Sequence, residues 1–549
     1  MLSLKNVYLY FSSCKILFYR AIKEFFFLTK IYNKSLNSQI PIRLFFQPNP
    51  YLLSPLFNHE SFVFKISKES IYNFWDKQLS FNEKKNMHSF LWLNLIDRKN
   101  EKEIIQKIIK DWIDIFDNYK KDTWRENIIP KRIIAWLSNS DIILKNSNKN
   151  FEKKFLNSLI RQVNFLKKNY SSTLFETNKV SSLSAIILSG LVFKEYYSNY
   201  TNGIKELKKI IDSYFDKDGF PKNRNLENLV IFLQYFVLIK EWIKQAQESI
   251  PSYLEEIIEK NLVCLNSFNN SNKKTPLFNG SAERELGYFF EYLRKLNYKT
   301  DKKLSLVGNI QVLKNRKSSL YFDAGGPPEF RLSKDYQSGP LSFEYFNDDQ
   351  KVITNSGYGR KISKKMRLIS KLTSAQSTLC INDASVVKFK RNNFINKAYG
   401  STINESFNVS NVKRNEDKFK ISISAMHNAY LKKFGYVHQR NIIFLKKENI
   451  IQGKDELFKK EENDNEVKFS IRFHIYPGIQ AFRTMGGKDI LLQISKNNSL
   501  TFSVKNQKIQ IETGLFLGRN KILKNNCLVI YGHTQSKDVS IEWELKKAI

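Results

Sequence analysis

The chain has 549 residues, 42% of them hydrophobic and 14% aromatic, and a formal net charge of +36. That is enough apolar side chain for two or three domains with their own cores, and it excludes a disordered chain. The charge points to an anionic polymer or membrane surface, or to lysine-rich codon usage spread along the whole chain; no helix-turn-helix, zinc-finger or RNA-binding signature supports a nucleic-acid partner.

In chain order, Val7 to Phe27 comes first, an apolar stretch interrupted by Lys15, Arg20 and Lys23. It falls short of the roughly 18 to 20 apolar residues of a spanning helix, and no small-residue cleavage site follows it. We expect a basic amphipathic lead segment over residues 1–65, resting on a membrane surface or packed on the domain. Helical spacing then begins. Ile104, Ile105, Ile108, Ile109, Trp112, Ile113 and Phe116 recur at three- and four-residue intervals, and so do Phe155, Leu156, Leu159, Val163 and Leu166. Leu226 to Ile243 repeats the pattern, and the links Asn146–Asn150 and Asp216–Asn225 hold the Asn, Asp, Gly and Pro that stop helices. Residues 66–302 are therefore predicted to form an array of α/α hairpins. From Lys303 the period shortens to two in Leu341–Phe346, Lys351–Thr354, Ser377–Ile381, Lys418–Ser424, Val467–Ile475 and Ser499–Val504. Turn clusters separate these runs, which predicts an antiparallel β-sandwich over residues 303–549. Cys14, Cys264, Cys380 and Cys527 lie too far apart to suggest a disulfide framework or a zinc site, and are read as free thiols.

Several strings resemble the heparinase II/III-like polysaccharide lyases. Trp124, Pro130, Arg132, Ile133, Ile134 and Trp136 form a loosened version of a tryptophan–arginine stretch of that family. Asp218-Gly219, Asn223-Arg224-Asn225 and Leu277-Phe278-Asn279-Gly280 resemble its turns. Phe322-Asp323-Ala324-Gly325-Gly326, Leu341-Ser342-Phe343-Glu344, Ser377-Thr378-Leu379, His427-Asn428-Ala429-Tyr430 and Arg472-Phe473-His474 follow in the order of its strands. The resemblance spans about residues 70–535. It implies an incomplete (α/α) toroid followed by a large antiparallel β-sandwich, an acidic polysaccharide or lipid-linked glycan as partner, and a place in the cell envelope or periplasm; the sequence shows no clear export signal, and a cytoplasmic or membrane-associated place is the alternative.

The chemistry it implies is β-elimination on a uronate, a carbon–oxygen lyase reaction. A base removes the proton alpha to the carboxylate, an acid protonates the leaving oxygen, and donors or cations neutralise the developing charge. The sequence departs from the family where its enzymes hold metal and imidazole. Gln337 stands in place of a histidine, Asn355 in place of an aspartate and Gln376 in place of a histidine, a set poorly suited to zinc. No metal and no cofactor is expected. The remaining catalytic candidates are Tyr430 and His427, which converge only across a turn, and Asn178. The substrate-binding candidates are Arg224, Asn223, His438, Arg440, Arg132 and Trp136. His438 and Arg440 share one face of a strand, and Arg132 and Trp136 one face of a helix. Each also has a structural reading: Tyr430 as core, Arg132 and Trp136 as toroid core, and the Asn223–Asn225 turn as a helix cap. A non-catalytic glycan-binding scaffold is the alternative to an active lyase. The sequence assigns no oligomeric state.

Overall fold

The computed structural model describes residues 4–56, 74–75, 79–97, 102–348, 350–390, 392–461 and 466–548. The expected boundary between residues 65 and 66 lies outside them. The chain forms two compact units. One comprises Met1–Tyr214, Val230–Glu259 and Glu291–Asn297; the other comprises Phe215–Leu229, Lys260–Phe290 and Tyr298–Ile549.

The first unit is helical. Its helices include Leu4–Phe27, Lys102–Phe116, Ile129–Ser138, Lys149–Asn169, Glu176–Val192 and Tyr197–Tyr214. The stripe read from the sequence, Ile105, Ile108, Ile109, Trp112 and Ile113, is the buried face of Lys102–Phe116. Local signals set the ends. The Asn148 side chain accepts the N–H of Phe151 at the start of Lys149–Asn169, and Pro130 lies in the first turn of its helix, where its missing N–H costs no intrahelical bond. Trp112 and Trp136 meet edge-on at 5.3 Å, with Phe90 and Phe155 against Trp136, and these rings form the centre of the unit.

The second unit is built on two antiparallel sheets. In one, Leu306–Val307, Ile310–Lys314, Ser318–Asp323, Phe343–Asn347, Gln350–Thr354, Lys468–Ile475, Leu523–His533 and Ile509–Phe516 are neighbours in that order, with Leu379–Ile381 also paired to Lys468–Ile475. In the other the order is Gln480–Arg483, Ile490–Ser495, Asn498–Val504, Val539–Lys547, Ile450–Lys459, Tyr436–Leu445, Lys420–His427 and Val409–Glu416. The predicted strand runs are strands, displaced by a few residues at their ends. Period-two alternation places Ile421, Ile423, Ala425 and His427 on the inner face of their strand, and Tyr436, His438, Arg440, Ile442 and Phe444 on that of the next. Register brings His427 opposite His438, and Arg440 opposite both Ala425 and Asp455. Gly453 faces Trp543, whose indole would lie 2.0 Å from an added Cβ, so only glycine lets the ring lie flat on that strand.

Candidate functional site

The inward alternation gathers four of the predicted site residues in the sandwich core. His427, Tyr430, His438 and Arg440 are all buried, with Asp455 and Trp543 beside them. The Ala429 N–H donates to His427 Nδ1 at 3.2 Å, which leaves the ring proton on Nε2 to point at His438 Nδ1, also 3.2 Å away. His438 then donates from Nε2 to Asp455 Oδ1 at 2.7 Å. Arg440 grips the same carboxylate through Nε (2.8 Å) and Nη2 (3.1 Å), Trp543 donates to it at 2.9 Å, and Arg440 Nη1 donates to the Leu341 and Ser377 carbonyls. Burial pushes both imidazoles below their ordinary range, so both are neutral. Burial would raise the Asp455 carboxyl, but Arg440 and His438 outweigh it and hold it low. Tyr430 lies 5.4 Å from the His427 ring and donates to the Leu379 carbonyl. The expected convergences of His427 with Tyr430 and of His438 with Arg440 both occur. They occur on the enclosed face, where the groups are spent on one another and do not face solvent.

The positions where the family implies a metal hold a different chemistry. Gln337 Nε2 donates to the Gly357 and Ser370 carbonyls, Gln376 Nε2 to Ser370, and Asn355 Nδ2 to Leu277. The amide oxygens of Gln337 and Asn355 accept the N–H groups of Gly280 and Ser377, each at 2.9 Å. These neutral amides are committed to backbone, and among the described residues no group of three or more His, Cys, Asp and Glu is placed to hold a metal ion. The residues do not fit a divalent metal. They tie four loop segments together by hydrogen bonds.

Arg224 has a left-handed backbone (φ 61°), and its guanidinium is turned into its own unit. There it pairs with Asp323 and donates to the Gly308 and Gly326 carbonyls at 2.8 and 2.9 Å. A Cβ at Gly325 would lie 2.4 Å from that guanidinium, which accounts for the glycine in the Asp-Ala-Gly-Gly string. Asn223 accepts the N–H of Asn225, and Asn225 accepts that of Asn228, so this turn caps the helix Leu226–Gln245. In the helical unit, Arg132 is fully buried over the Trp112 ring at 4.2 Å, with its guanidinium on Gln162, His88 and Thr123. Trp136 is likewise buried. A sugar platform needs an accessible ring face, and the observed packing is that of a core. Asn178, in the first turn of Glu176–Val192, is half-buried and donates to Glu126 at 2.8 Å.

A second constellation, not singled out from the sequence, surrounds the loop Leu277–Arg284 of the sandwich unit. Asn279 and Gly280 take successive left-handed conformations (φ 52° and 90°), and a Cβ at Gly280 would lie 2.7 Å from that of Asp335. Ser281 accepts the N–H groups of Leu226 and Glu227, fixing the loop beside Glu227. Three largely buried carboxylates border the loop, each held by cations. Glu227 takes Arg284 at 2.6 Å and Lys361 at 3.6 Å; burial would raise its carboxyl, but the two cations bring it down to about 2. Asp335 accepts the Tyr358 hydroxyl at 2.8 Å and Arg360 at 3.2 Å, while Arg367 donates to the Tyr358 oxygen at 3.1 Å. Glu283 accepts Tyr476 and Arg519, both at 2.8 Å. These cationic side chains remain partly accessible: those of Arg284, Arg360, Lys361 and Arg519 are 26%, 40%, 52% and 46% exposed. The result is a belt of exposed positive charge over buried negative charge. The only advance signal was the Leu-Phe-Asn-Gly string, because the belt's members come from segments far apart in sequence.

Comparison with known proteins gives two matching family models, one described as Heparinase II/III N-terminus over residues 53–301 and one as Heparinase II/III-like, C-terminal over residues 299–544. FtsZ-localized protein C of Caulobacter vibrioides (strain NA1000 / CB15N) is 23% identical over 236 residues, which are 41% of this chain and 40% of that relative. Among solved structures, the Heparinase III-BT4657 gene product superimposes with a TM-score of 0.68 at 12% identity, covering 90% of this chain and 86% of that one. The heparan sulfate lyase HepC from Pedobacter heparinus gives 0.60 at 14% identity, covering 91% and 82%. At these identities the likeness is one of fold: a helical toroid followed by an antiparallel β-sandwich.

Proposed function

Because the chain belongs to the heparinase II/III-like superfamily, we propose that it is a polysaccharide lyase-like protein that holds an acidic, uronate-containing glycan on the belt around Leu277–Arg284. The observation that supports this reading is the exposed set Arg360, Lys361 and Arg519 with the partly exposed Arg284 beside them, each oriented by a carboxylate beneath it. A uronate carboxylate set against such cations is neutralised, which binds the polymer and lowers the energy of charge developing alpha to that carboxylate. Tyr358 is buried and its O–H is donated to Asp335, so it positions that carboxylate beneath Arg360 and does not itself reach a sugar.

A second reading, binding without cleavage, is favoured by the enclosure of His427, His438 and His474. An elimination also needs a base that reaches the sugar, and these imidazoles do not. A place in the cell envelope remains part of the proposal. Co-localisation with FtsZ, taken from the name of the relative, is a further proposal of place that imaging of a fluorescent fusion decides.

The test is titration of the full chain with heparan sulfate, alginate and pectate, with neutral dextran as control. Binding to one acidic polymer should weaken with salt, and Arg360→Ala/Lys361→Ala should lower the affinity at least about tenfold. Equal binding of variant and parent, or of dextran, rules out the belt. Absorbance of a new C4–C5 double bond in the same samples separates cleavage from binding.

A further inference from the structure

The helix Leu4–Phe27 has two opposite apolar faces. The inner one buries Leu9 and Phe27, with the Ser13 hydroxyl between them donated to the Leu9 carbonyl and the Phe27 ring against Tyr32, Tyr119 and Phe165 at 4.6, 4.9 and 5.3 Å. The outer one contains Tyr8, Phe11, Phe18, Ile22 and Phe25, which recur at helical spacing and are 73%, 69%, 70%, 51% and 74% exposed, with Tyr19 beside them at 61%. A continuous aromatic stripe directed at water marks an interaction surface.

We propose that this stripe docks the protein onto an anionic lipid surface, with the helix lying in the plane of the interface. The inference is independent of the glycan belt. No helix among the described residues is long and apolar enough to cross a membrane, so an in-plane position is the one open to it. Phe and Tyr suit the boundary between headgroups and acyl chains. Charge selects the lipid. Lys15 on this helix and Lys30 and Lys34 on the short helix Lys30–Lys34 after it are exposed, while Lys23 donates to Ser172, and the nearby acid, Glu24, already pairs with Lys121 at 2.7 Å. Lys15 falls in the middle of the stripe, where its long stem lies along the apolar face and its ammonium reaches the phosphates. The chain's +36 adds long-range attraction. A second copy of the chain fits less well, because a two-fold antiparallel pairing of Leu4–Phe27 would set Lys15 against its own copy at the centre.

The experiment is co-sedimentation of the full chain with phosphatidylcholine vesicles with and without phosphatidylglycerol, at physiological salt. Binding is expected to the anionic vesicles, and Phe11→Ser/Phe18→Ser/Phe25→Ser, which keeps every charge, should weaken it at least about tenfold with the melting temperature unchanged. Tyr8→Ser/Ile22→Ser on the same stripe should act in the same direction and provides a second variant. The proposal is overturned if the parent binds neither vesicle, or if the variants bind as the parent does, since the charge of the remaining surface would then suffice. It is also overturned if sedimentation velocity shows a dimer that the same substitutions dissociate while vesicles stay unbound.

Discussion

Arg440 and Asp455 show what a buried charge costs and what holds it in place. Both are fully enclosed, and the carboxylate has four donors: two from Arg440, one from His438 and one from Trp543. Removing one member of such a pair leaves the other charged and without compensation in a medium that solvates it poorly. Arg440→Leu is therefore expected to lower unfolding free energy by about 3–5 kcal/mol in urea titrations. Arg440→Leu/Asp455→Leu should recover a substantial part, because no orphan charge remains. If the single and double variants lose the same amount, the pair is not what holds that part of the core. The sequence showed correctly that His438 and Arg440 share a strand face, since side chains alternate by backbone geometry alone. It could not show which face. That depended on the segments leading into the opposite sheet, where the Leu341 and Ser377 carbonyls receive the guanidinium.

At the scale of an element, the loop Leu277–Arg284 carries the candidate site. Its shape rests on two left-handed residues, on Gly280 against Asp335, and on the Gln337 amide that accepts the Gly280 N–H. Gly280→Val places a β-branched side chain at φ 90° and into Asp335. We expect a loss of about 1–3 kcal/mol by thermal denaturation, together with weaker glycan binding as Arg284 and Glu283 shift. Loss of stability with full binding would separate the loop from the site. The sequence showed Leu-Phe-Asn-Gly as a turn because Asn and Gly tolerate left-handed backbone. The cations that gather around it come from residues 284, 360, 361 and 519, and no local rule brings those together. The amide positions were legible in one respect: Gln337, Asn355 and Gln376 are poor metal ligands by their chemistry wherever they lie. That their NH2 groups would meet backbone carbonyls of neighbouring loops was not.

For the whole molecule, each unit encloses at least one neutral imidazole. Burial lowers His88 in the helical unit to about 3 and His474 in the sandwich unit to about 4. Both folded values lie below the ordinary value of 6.5, so between them and 6.5 the unfolded chain binds more protons than the folded one. Stability contributed by these groups is complete above about pH 6.5 and is lost as pH falls toward 4 for His474 and 3 for His88. Calorimetry from pH 7 to pH 4 should show falling melting temperatures, and His474→Phe should make the part belonging to the sandwich unit shallower, with His427 and His438 supplying the rest. A melting profile unchanged over this window would mean that neither ring is held neutral. The sequence by itself determined the order of the molecule, helices and then strands, because periods of 3.6 and 2 are imposed by local backbone geometry and persist in any context. It also determined the charge and the amide side chains at Gln337, Asn355 and Gln376. Only the tertiary structure decided which faces are core and which meet solvent. Burial is a property of what packs against a face, and it enclosed His427, Tyr430, Arg224 and Trp136 while leaving Arg360, Lys361 and Arg519 accessible.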